Sequence, residues 1–393
     1  MRKSIYTFCL SLAVAVVASN WQIAVAIPLQ PLPLDKIGNI GLERQLKKDS
    51  SSSREEWNES ERKSLRKAID NSLDYLSTPK AEQEYLQYLR SPFNLDRVRR
   101  SLIRFRQLLL TTDSPAELEK AVKQEFIFYQ STGKDNRGTV DFTGYFEPTY
   151  PASRVRTEQY RYPLYRQPSN FASWEQPHPT RAQLEGQDGL SSNKSILSGY
   201  ELVWLRDRLE AFLVQVQGSA KLTMTDGSTM SVGYDGTTNY PYVSIGGELI
   251  KDSVFAQEEL SLPKLIAYFA AAPAQLDEYI PRNKRFIFFR ETNGAPPTGS
   301  LGVPVTGDRS IATDKSLMPP GALALIVAPI PDVEATGEIA TQVVSRYVLD
   351  QDTGSAIKGA GRVDIFLGSG EVAGERAGRL NGSGSLYYLL LKP

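Results

Sequence analysis

The feature that most constrains this fold is a change of sequence texture at Gly138. From there to the C-terminus, short runs of β-branched and aromatic residues alternate with Gly, Pro, Asn and Asp, which is typical of strands separated by turns. The runs predicted as strands are 139–146, 211–217, 229–234, 285–289, 310–313, 322–328, 345–349 and 363–367. The polar segment 148–197, rich in Arg, Tyr and Pro, is interpreted as loops or an insertion. The chain after Gly138 is therefore predicted to be mainly β.

The part before Gly138 has a helical period instead. Apolar residues recur at helical spacing in two stretches: Leu65, Ile69, Leu73 and Leu76, then Val98, Leu102, Phe105 and Leu109. A third helix is predicted to begin at Ser114, an N-cap followed by Pro115 and by Glu117, which can reach back. Its apolar face would hold Leu118, Val122 and Phe126. We expect these helices to pack on the main body, and a lid or a partner surface is the alternative.

The first residues predict export. Met1-Arg2-Lys3 precedes an apolar run over 5–18, and Ala24-Val25-Ala26 offers small residues to a signal peptidase. The expectation is a signal peptide over 1–26, with an uncleaved anchor as the alternative, and a location in the periplasm or cell envelope. The single cysteine, Cys9, lies inside this segment and lacks the small residues that should precede a lipidation site.

Composition disfavours several kinds of chemistry. Lys plus Arg equals Asp plus Glu at 45 each, so no charge excess favours nucleic acid as a partner. With Cys9 in the export segment, the mature part offers no thiolate ligand, cysteine nucleophile or disulfide. The single histidine, His178, lies between two prolines and is interpreted as a surface loop residue, which disfavours Ser-His-Asp catalysis and histidine-bound zinc. No cofactor and no metal are expected.

The segment 352–355 reads Asp-Thr-Gly-Ser, the string that surrounds a catalytic aspartate in pepsin-like proteases. Such an enzyme needs two of these loops, because two carboxylates share one proton. The sequence holds no second Asp-Thr-Gly or Asp-Ser-Gly. A protease is therefore disfavoured.

The strongest candidate for a catalytic group is Asp364. On a strand, Asp364 and Phe366 point to one face, while three apolar residues point to the other: Val363, Ile365 and Leu367. Such a carboxyl loses hydration when it ionises, so its pKa is predicted to rise. Protonation near neutrality needs a rise of roughly three units, or about 4 kcal/mol. The alternative is a strand residue that pairs with a nearby Arg or Lys.

Two further aspartates, Asp314 and Asp352, lie beside predicted turns of the same C-terminal region. Aspartate is common in turns for reasons of local hydrogen bonding, so each taken alone can be a turn residue. Together with Asp364 they could also form a divalent-metal site, which chelation would test.

Seven motifs occur in an order and spacing that resemble one known family. They are Thr143-Gly144-Tyr145-Phe146-Glu147-Pro148, Gln215-Val216-Gln217-Gly218-Ser219, Ser244-Ile245-Gly246, Phe288-Phe289, Pro304-Val305-Thr306, Ala312-Thr313-Asp314 with Pro319-Pro320-Gly321, and Asp352-Thr353-Gly354-Ser355-Ala356-Ile357-Lys358-Gly359 followed by Val363-Asp364. From about residue 139 onwards the chain resembles the membrane-bound lytic transglycosylase A family of bacterial peptidoglycan enzymes. The last motif is similar to the domain named for three aspartates, here Asp314, Asp352 and Asp364. The family's lipidation cysteine is missing, and the usual Asp-x-Gly-Gly reads Asp-Thr-Gly-Ser.

The resemblance implies a fold and a division into domains. The expected fold is mainly β with an N-terminal helical region, a double-psi β-barrel and a second, inserted β domain. The expected limits are a signal peptide at 1–26, a helical region at 27–135, a barrel at 136–150 and 295–393, and an insert at 151–294. A groove would separate the two β domains.

The resemblance also implies site residues and an activity. Asp364 corresponds to the catalytic acid and Asp352 to the aspartate that supports it. Substrate-groove positions correspond to Thr143, Tyr145, Gln217, Ser219, Asp314 and Lys358. The implied reaction is lytic cleavage of glycan strands in cell-wall turnover, by a monomer whose further partners would be cell-wall machinery proteins. A polysaccharide hydrolase and a non-catalytic glycan-binding module on the same barrel are the alternatives.

Overall fold

The computed structural model describes residues 27–33, 36, 57–89, 91–190, 195–257, 259–334 and 336–393. The predicted signal segment, 1–26, lies outside the described residues. Among the helices within these ranges, none combines the length and the apolar character that a membrane crossing needs.

The secondary structure follows the predicted change from helix to strand. In chain order the α-helices are α1 (Glu59–Leu76), α2 (Pro79–Glu84), α3 (Leu95–Thr111), α4 (Pro115–Glu125), α5 (Arg181–Glu185), α6 (Arg208–Gln217), α7 (Ile245–Lys251), α8 (Leu262–Ala271), α9 (Leu276–Tyr279) and α10 (Glu371–Arg379). The strands are β1 (Leu29–Pro31), β2 (Phe126–Ser131), β3 (Val140–Glu147), β4 (Thr149–Ser153), β5 (Tyr162–Tyr165), β6 (Glu201–Leu205), β7 (Ser219–Met224), β8 (Thr229–Thr237), β9 (Ile287–Glu291), β10 (Ser310–Ala312), β11 (Leu323–Val333), β12 (Ile339–Asp352), β13 (Arg362–Ser369) and β14 (Asn381–Leu391).

The three helices predicted from periodicity are confirmed as α1, α3 and α4. Each begins at a side-chain cap, because Asn58, Asn94 and Ser114 each accept a hydrogen bond from the backbone N–H three residues further on. Phe126 was predicted to lie on the face of the third helix, and this is wrong. Its backbone is extended, and it opens β2 by pairing with Leu391 of β14.

The helical region packs on the main body, as predicted. Residues of α1, α3 and α4 share one hydrophobic core with the long strands of the C-terminal half. A buried amide, Gln351 of β12, donates to the carbonyl of Ala68 (2.7 Å) and to the hydroxyl of Ser72 (2.9 Å) in α1. These contacts fix the helices against the sheet that carries the candidate site.

Six strands of the described chain close a barrel. Their order is β3, β13, β10, β12, β11 and β14, and β14 returns to pair with β3. Two of the pairs are parallel, β3 with β13 and β10 with β12. Outside β14 the sheet continues through β2 to β1, so β2 joins the sheet although it lies in the region predicted to be helical.

A second sheet lies in the chain between β3 and β10. Its strand order is β5, β6, β4, β7, β8 and β9, with β4 and β7 parallel. The segment 148–197, interpreted from sequence as loops or an insertion, supplies two of these strands, β4 and β5. The expectation of a barrel with an inserted β domain is confirmed at this level.

The strand predicted over 211–217 is wrong, because these residues belong to α6. Asp207 caps this helix by accepting from the amides of Leu209 (2.7 Å) and Glu210 (3.1 Å). The helix lies between two cores, with Ala211 and Val214 in the core of the second sheet and other residues packed against α7 to α9. A helix covered on two sides loses the one-sided apolar stripe, and a short apolar run then cannot be told from a strand by periodicity.

His178 is buried at 8% exposure, so its interpretation as a surface residue is wrong. Its ring packs on Phe171 with a centroid distance of 4.9 Å, and its Nδ1 accepts from the amide of Asn239 (3.1 Å). The flanking prolines made the segment look like an exposed loop, but Phe171 and Trp174, from the short 3-10 helix just before it, cover the His178 ring.

Candidate active site

The two candidate catalytic aspartates lie on either side of the short strand β10. Ala312 of β10 pairs with Asp352 of β12 in one direction and with Asp364 of β13 in the other. Two strand spacings place their Cα atoms roughly 10 Å apart. The barrel therefore brings together residues that the sequence analysis could connect only through the family resemblance.

Asp364 has the strand orientation that was predicted. Val363 and Ile365 are buried in the core, while the side chain of Asp364 lies on the opposite face with one fifth of its surface exposed. The Thr143 hydroxyl donates to Oδ1 of Asp364, and Nε of Arg362 donates to the same oxygen (3.1 Å). The pairing with an arginine, held open as an alternative, is thus present, and the protonation of this carboxyl stays a prediction.

Asp352 is more fully enclosed by donors. Its Oδ1 accepts from the amides of Ser300 (2.8 Å) and Thr353 (2.8 Å), and its Oδ2 accepts from the hydroxyl of Tyr145 (2.8 Å). Burial raises the pKa of Asp352, and these hydrogen bonds together with the charge of Lys315 only partly offset that rise. The carboxyl with a raised pKa is therefore Asp352, to which the resemblance assigns the supporting role.

Tyr145 links Asp352 to β13, the strand that carries Asp364. Its ring lies against Phe366, with a centroid distance of 5.2 Å, and its hydroxyl reaches Asp352. Burial, followed by the charge of Asp352, raises the pKa of Tyr145 well above its ordinary value. The hydroxyl therefore stays protonated and remains a donor.

Asp314, which follows β10, contacts the loop between β12 and β13 that carries Lys358. One oxygen of Asp314 accepts from Ser316, and the other accepts from the amide of Gly359 (2.9 Å). Burial alone would raise the pKa of Asp314, but these hydrogen bonds and the charge of Lys358 outweigh it, and the pKa is lowered. The carboxylate of Asp314 thus fastens the loop, and the Lys358 side chain is exposed.

Gln217 and Ser219 stand where the second sheet meets the barrel. Oε1 of Gln217, the last residue of α6, accepts from the amide of Phe146 in β3 (3.1 Å). Gly218 ends the helix with a φ of 82°, a conformation that glycine adopts freely, and Ser219 then starts β7. Gln217 therefore joins the two sheets directly beside Tyr145.

Two residues of the site escaped the sequence analysis. Arg362 could have been found, because it is two residues from Asp364 and shares its strand face. Tyr242 could not, since it comes from the second sheet's domain and reaches Asp364 only through the fold. Burial raises the pKa of Tyr242, and the charge of Asp364 adds to that rise.

The three aspartates do not converge on one point. In the part of the chain that the structure describes, no three His, Cys, Asp or Glu side chains lie close enough to hold a metal ion between them. The carboxylate of Asp314 accepts hydrogen bonds from Ser316 and Gly359, and the carboxylate of Asp352 accepts one from the amide of Ser300.

The barrel and the second sheet both match known protein families in sequence. Residues 141–290 match the MltA specific insert domain, and residues 309–390 match the 3D domain. The chain is 33% identical over 267 residues to membrane-bound lytic murein transglycosylase A of Escherichia coli (strain K12), which covers 67% of this chain and 69% of that protein. The chain belongs to the membrane-bound lytic murein transglycosylase A family. The resemblance stated from seven motifs is thereby confirmed.

Other members of the family are also similar to this chain, in sequence or in structure. The Vibrio cholerae protein is 32% identical over 265 residues, covering 67% of this chain and 68% of its own. The crystal structure of E. coli MltA with bound chitohexaose matches with a TM-score of 0.66 at 25% identity, over 93% of this chain and 95% of that one. The Agrobacterium tumefaciens structure matches with a TM-score of 0.65 at 23% identity, over 84% and 93%, and shows a shared fold.

Proposed function

We propose that this protein is a peptidoglycan lytic transglycosylase. It cleaves the β-1,4 bond between N-acetylmuramic acid and N-acetylglucosamine and leaves 1,6-anhydromuramyl ends. Its family supports this reaction, since its relatives are named lytic murein transglycosylases. The E. coli structure with chitohexaose supports a glycan strand as the ligand.

A single observation carries the choice of Asp364 as the catalytic acid. Both oxygens of Asp352 accept hydrogen bonds within the protein. For Asp364, both donors converge on Oδ1, and within the described residues no hydrogen bond reaches Oδ2. A general acid needs an oxygen free to reach the substrate, and Asp364 has one.

One carboxyl is sufficient for the reaction. Protonated Asp364 gives its proton to the glycosidic oxygen as the bond from that oxygen to C1 breaks. The C6 hydroxyl of the same muramyl residue then bonds to C1 and passes its proton to the Asp364 carboxylate. No water is consumed, and the acid is restored for the next cycle.

A hydrolase would instead need a second carboxylate to act on water. Asp352 is the neighbour in question, and its oxygens are already engaged by Ser300, Thr353 and Tyr145. This engagement favours the mechanism with one carboxyl.

The remaining features of the proposal follow from the same family. We infer that the six-stranded barrel is of the double-psi type, which its two parallel strand pairs support. We also infer that the barrel spans 136–150 and 295–393 with an insert at 151–294, except that residues 149 and 150 already belong to β4 of the second sheet. We infer further that the protein is exported to the periplasm or cell envelope. Thr143, Tyr145, Gln217, Ser219 and Lys358 are the residues that we propose for the glycan groove.

The experiment that tests the function is product analysis by mass spectrometry after incubation with cell-wall sacculi. Anhydromuropeptides, lighter by one water than their hydrolysed counterparts, are expected, whereas reducing ends would identify a hydrolase. Asp364→Asn should abolish the products, with Asp113→Asn, an exposed aspartate before α4, as the matched control. If no product of either kind forms with the wild type while glycan is still bound, the protein is a binding module.

A further inference from the structure

The carboxyl group of Asp364 forms a closed ring of hydrogen bonds with two other side chains, Arg362 and Thr143. Nη2 of Arg362 donates to Oγ1 of Thr143 (2.7 Å), Nε of Arg362 donates to Oδ1 of Asp364 (3.1 Å), and Oγ1 of Thr143 donates to that same Oδ1. Arg362 and Asp364 come from one face of β13, and Thr143 faces Asp364 from the parallel strand β3. The backbone register of two barrel strands therefore builds the ring.

The direction of each hydrogen bond in the ring is fixed by chemistry. A guanidinium group has N–H donors and no acceptor, so both contacts of Arg362 must be donations. A threonine hydroxyl has one proton. Since its oxygen already accepts from Arg362, its proton points to Oδ1 of Asp364.

Oδ1 of Asp364 therefore faces two hydrogens. A proton on Oδ1 would point towards one of them, which is repulsive, so a protonated Asp364 carries its proton on Oδ2. That oxygen is the one that no described residue contacts by a hydrogen bond.

We propose that Arg362, acting directly and through Thr143, holds Oδ1 of Asp364 as a constant acceptor, so that Oδ2 alone carries the proton to and from the glycan. Arg362 and Thr143 are thus positioning residues, and the inference rests on the proposed function of Asp364 as the acid and base. The ring also keeps the same oxygen in place for both proton transfers, which a single carboxyl must perform in turn.

Other titratable groups face Asp364 from the elements packed around it. They are Tyr145 of β3, Tyr242 from the segment before α7, and Asp352 across β10. Burial raises the pKa of both tyrosines, so they stay neutral through the working range. The cation in contact with Asp364 is Arg362, at 3.1 Å.

The test uses four variants and the pH profile of kcat/KM, which a merely structural role would leave unchanged in shape. Arg362→Gln removes the charge, and the high-pH limb of the profile, where activity is lost, should move to higher pH, because the ionised carboxyl then loses the cation that contacts it. Its maximal rate should fall by about tenfold. Arg100→Gln is the matched control, an exposed arginine of α3 that pairs with Asp96, and its profile should coincide with that of the wild type.

The remaining variants separate charge from orientation. Arg362→Lys keeps the charge but cannot make both contacts, so the limb should stay in place while the rate falls by about tenfold. Thr143→Val removes the hydroxyl, so the rate should again fall by about tenfold, and Thr143→Ser should recover most of that loss.

The proposal is overturned if Arg362→Gln matches Arg100→Gln both in the position of the high-pH limb of the kcat/KM profile and in the maximal rate. It is also overturned if Thr143→Val keeps the full rate. Should Arg362→Gln fail to fold, as judged by thermal unfolding, the Arg362→Lys and Thr143→Ser pair decides alone. Product masses of the wild type are recorded in parallel. Reducing ends there would reject the transglycosylase assignment, whereas the variant profiles would still report on the ring.

Discussion

The two carboxylates on either side of β10 show how one barrel edge can give the same side chain two different roles. Asp352 accepts three hydrogen bonds from the protein and is shielded enough for its pKa to be raised. Asp364 is one-fifth exposed and receives donors on a single oxygen. Both oxygens of Asp352 are thus engaged within the protein, whereas Oδ2 of Asp364 is left for a substrate.

Under the proposed function, this difference teaches that burial alone does not identify the reactive carboxyl. A raised pKa is a common mark of a catalytic acid, and here it falls on Asp352. The hydrogen-bond inventory points to Asp364 instead, because proton transfer needs a free oxygen as well as a proton. The raised pKa of Asp352 is explained by its burial, which the hydrogen bonds from Ser300 and Tyr145 only partly offset.

The largest expected difference between the two aspartates is in the loss of glycan-cleaving activity when each is replaced by asparagine. Asp364→Asn should lower kcat/KM on glycan by about 1,000-fold or more, because it removes the acid and the base together. Asp352→Asn should lower it by only about tenfold, since the asparagine carbonyl can still accept from the amides of Ser300 and Thr353. Rates on the same solubilised glycan provide the measurement. Equal losses in the two variants would contradict the division of roles and favour two-carboxylate hydrolysis.

The next effect is on the pH dependence of stability. Because the pKa of Asp352 is raised in the folded protein, its contribution to stability is fully present below the unfolded value near 3.8 and is lost as the pH rises through the folded value. Asparagine does not titrate. The Tm of Asp352→Asn relative to the wild type should therefore increase as the pH is raised from about 3.5 to about 7.

The control for this measurement is Asp113→Asn, whose Tm difference from the wild type should stay flat over the same range, because Asp113 is exposed. A difference for Asp352→Asn that shrinks with rising pH would mean that the hydrogen bonds of Asp352 outweigh its burial.

Much of this fold could be predicted because the information is local. The face of α1 and the alternation of β13 follow from the spacing of apolar residues, and both are observed. The identity of α6 could not be predicted in this way, because a helix buried on two sides has no polar face. Closure of the barrel by β14 pairing with β3 joins residues more than 200 positions apart, and no local pattern records it.

The site residues divide in the same way, into those that a local pattern places together and those that only the fold brings together. Arg362 and Asp364 share a strand face, so their contact was within reach of the sequence. The ring through Thr143 needs the register of β3 against β13, and the electrostatic influence of Asp364 on Tyr242 needs the segment before α7 to lie near the barrel. The family resemblance pointed to the candidate site residues. The register of β3 against β13 determines how the side chains of Thr143, Arg362 and Asp364 form hydrogen bonds with one another.

The smallest effect concerns Tyr145, which donates to Asp352 and packs against Phe366 of β13. Tyr145→Phe keeps the ring against Phe366 but removes the donor to Oδ2 of Asp352. The free energy of unfolding should fall by about 1 kcal/mol at neutral pH, and the pKa of Asp352 should rise further because its ionised form loses a hydrogen bond.

The same variant also decides whether Tyr145 touches the glycan itself. If its hydroxyl acts only through Asp352, then Tyr145→Phe should cost little additional activity in the Asp352→Asn background, because the two residues form one unit. If the losses add fully, the hydroxyl contacts the substrate independently of Asp352. A double-mutant cycle on kcat and KM separates these cases, since an independent substrate contact raises KM while an indirect one lowers kcat.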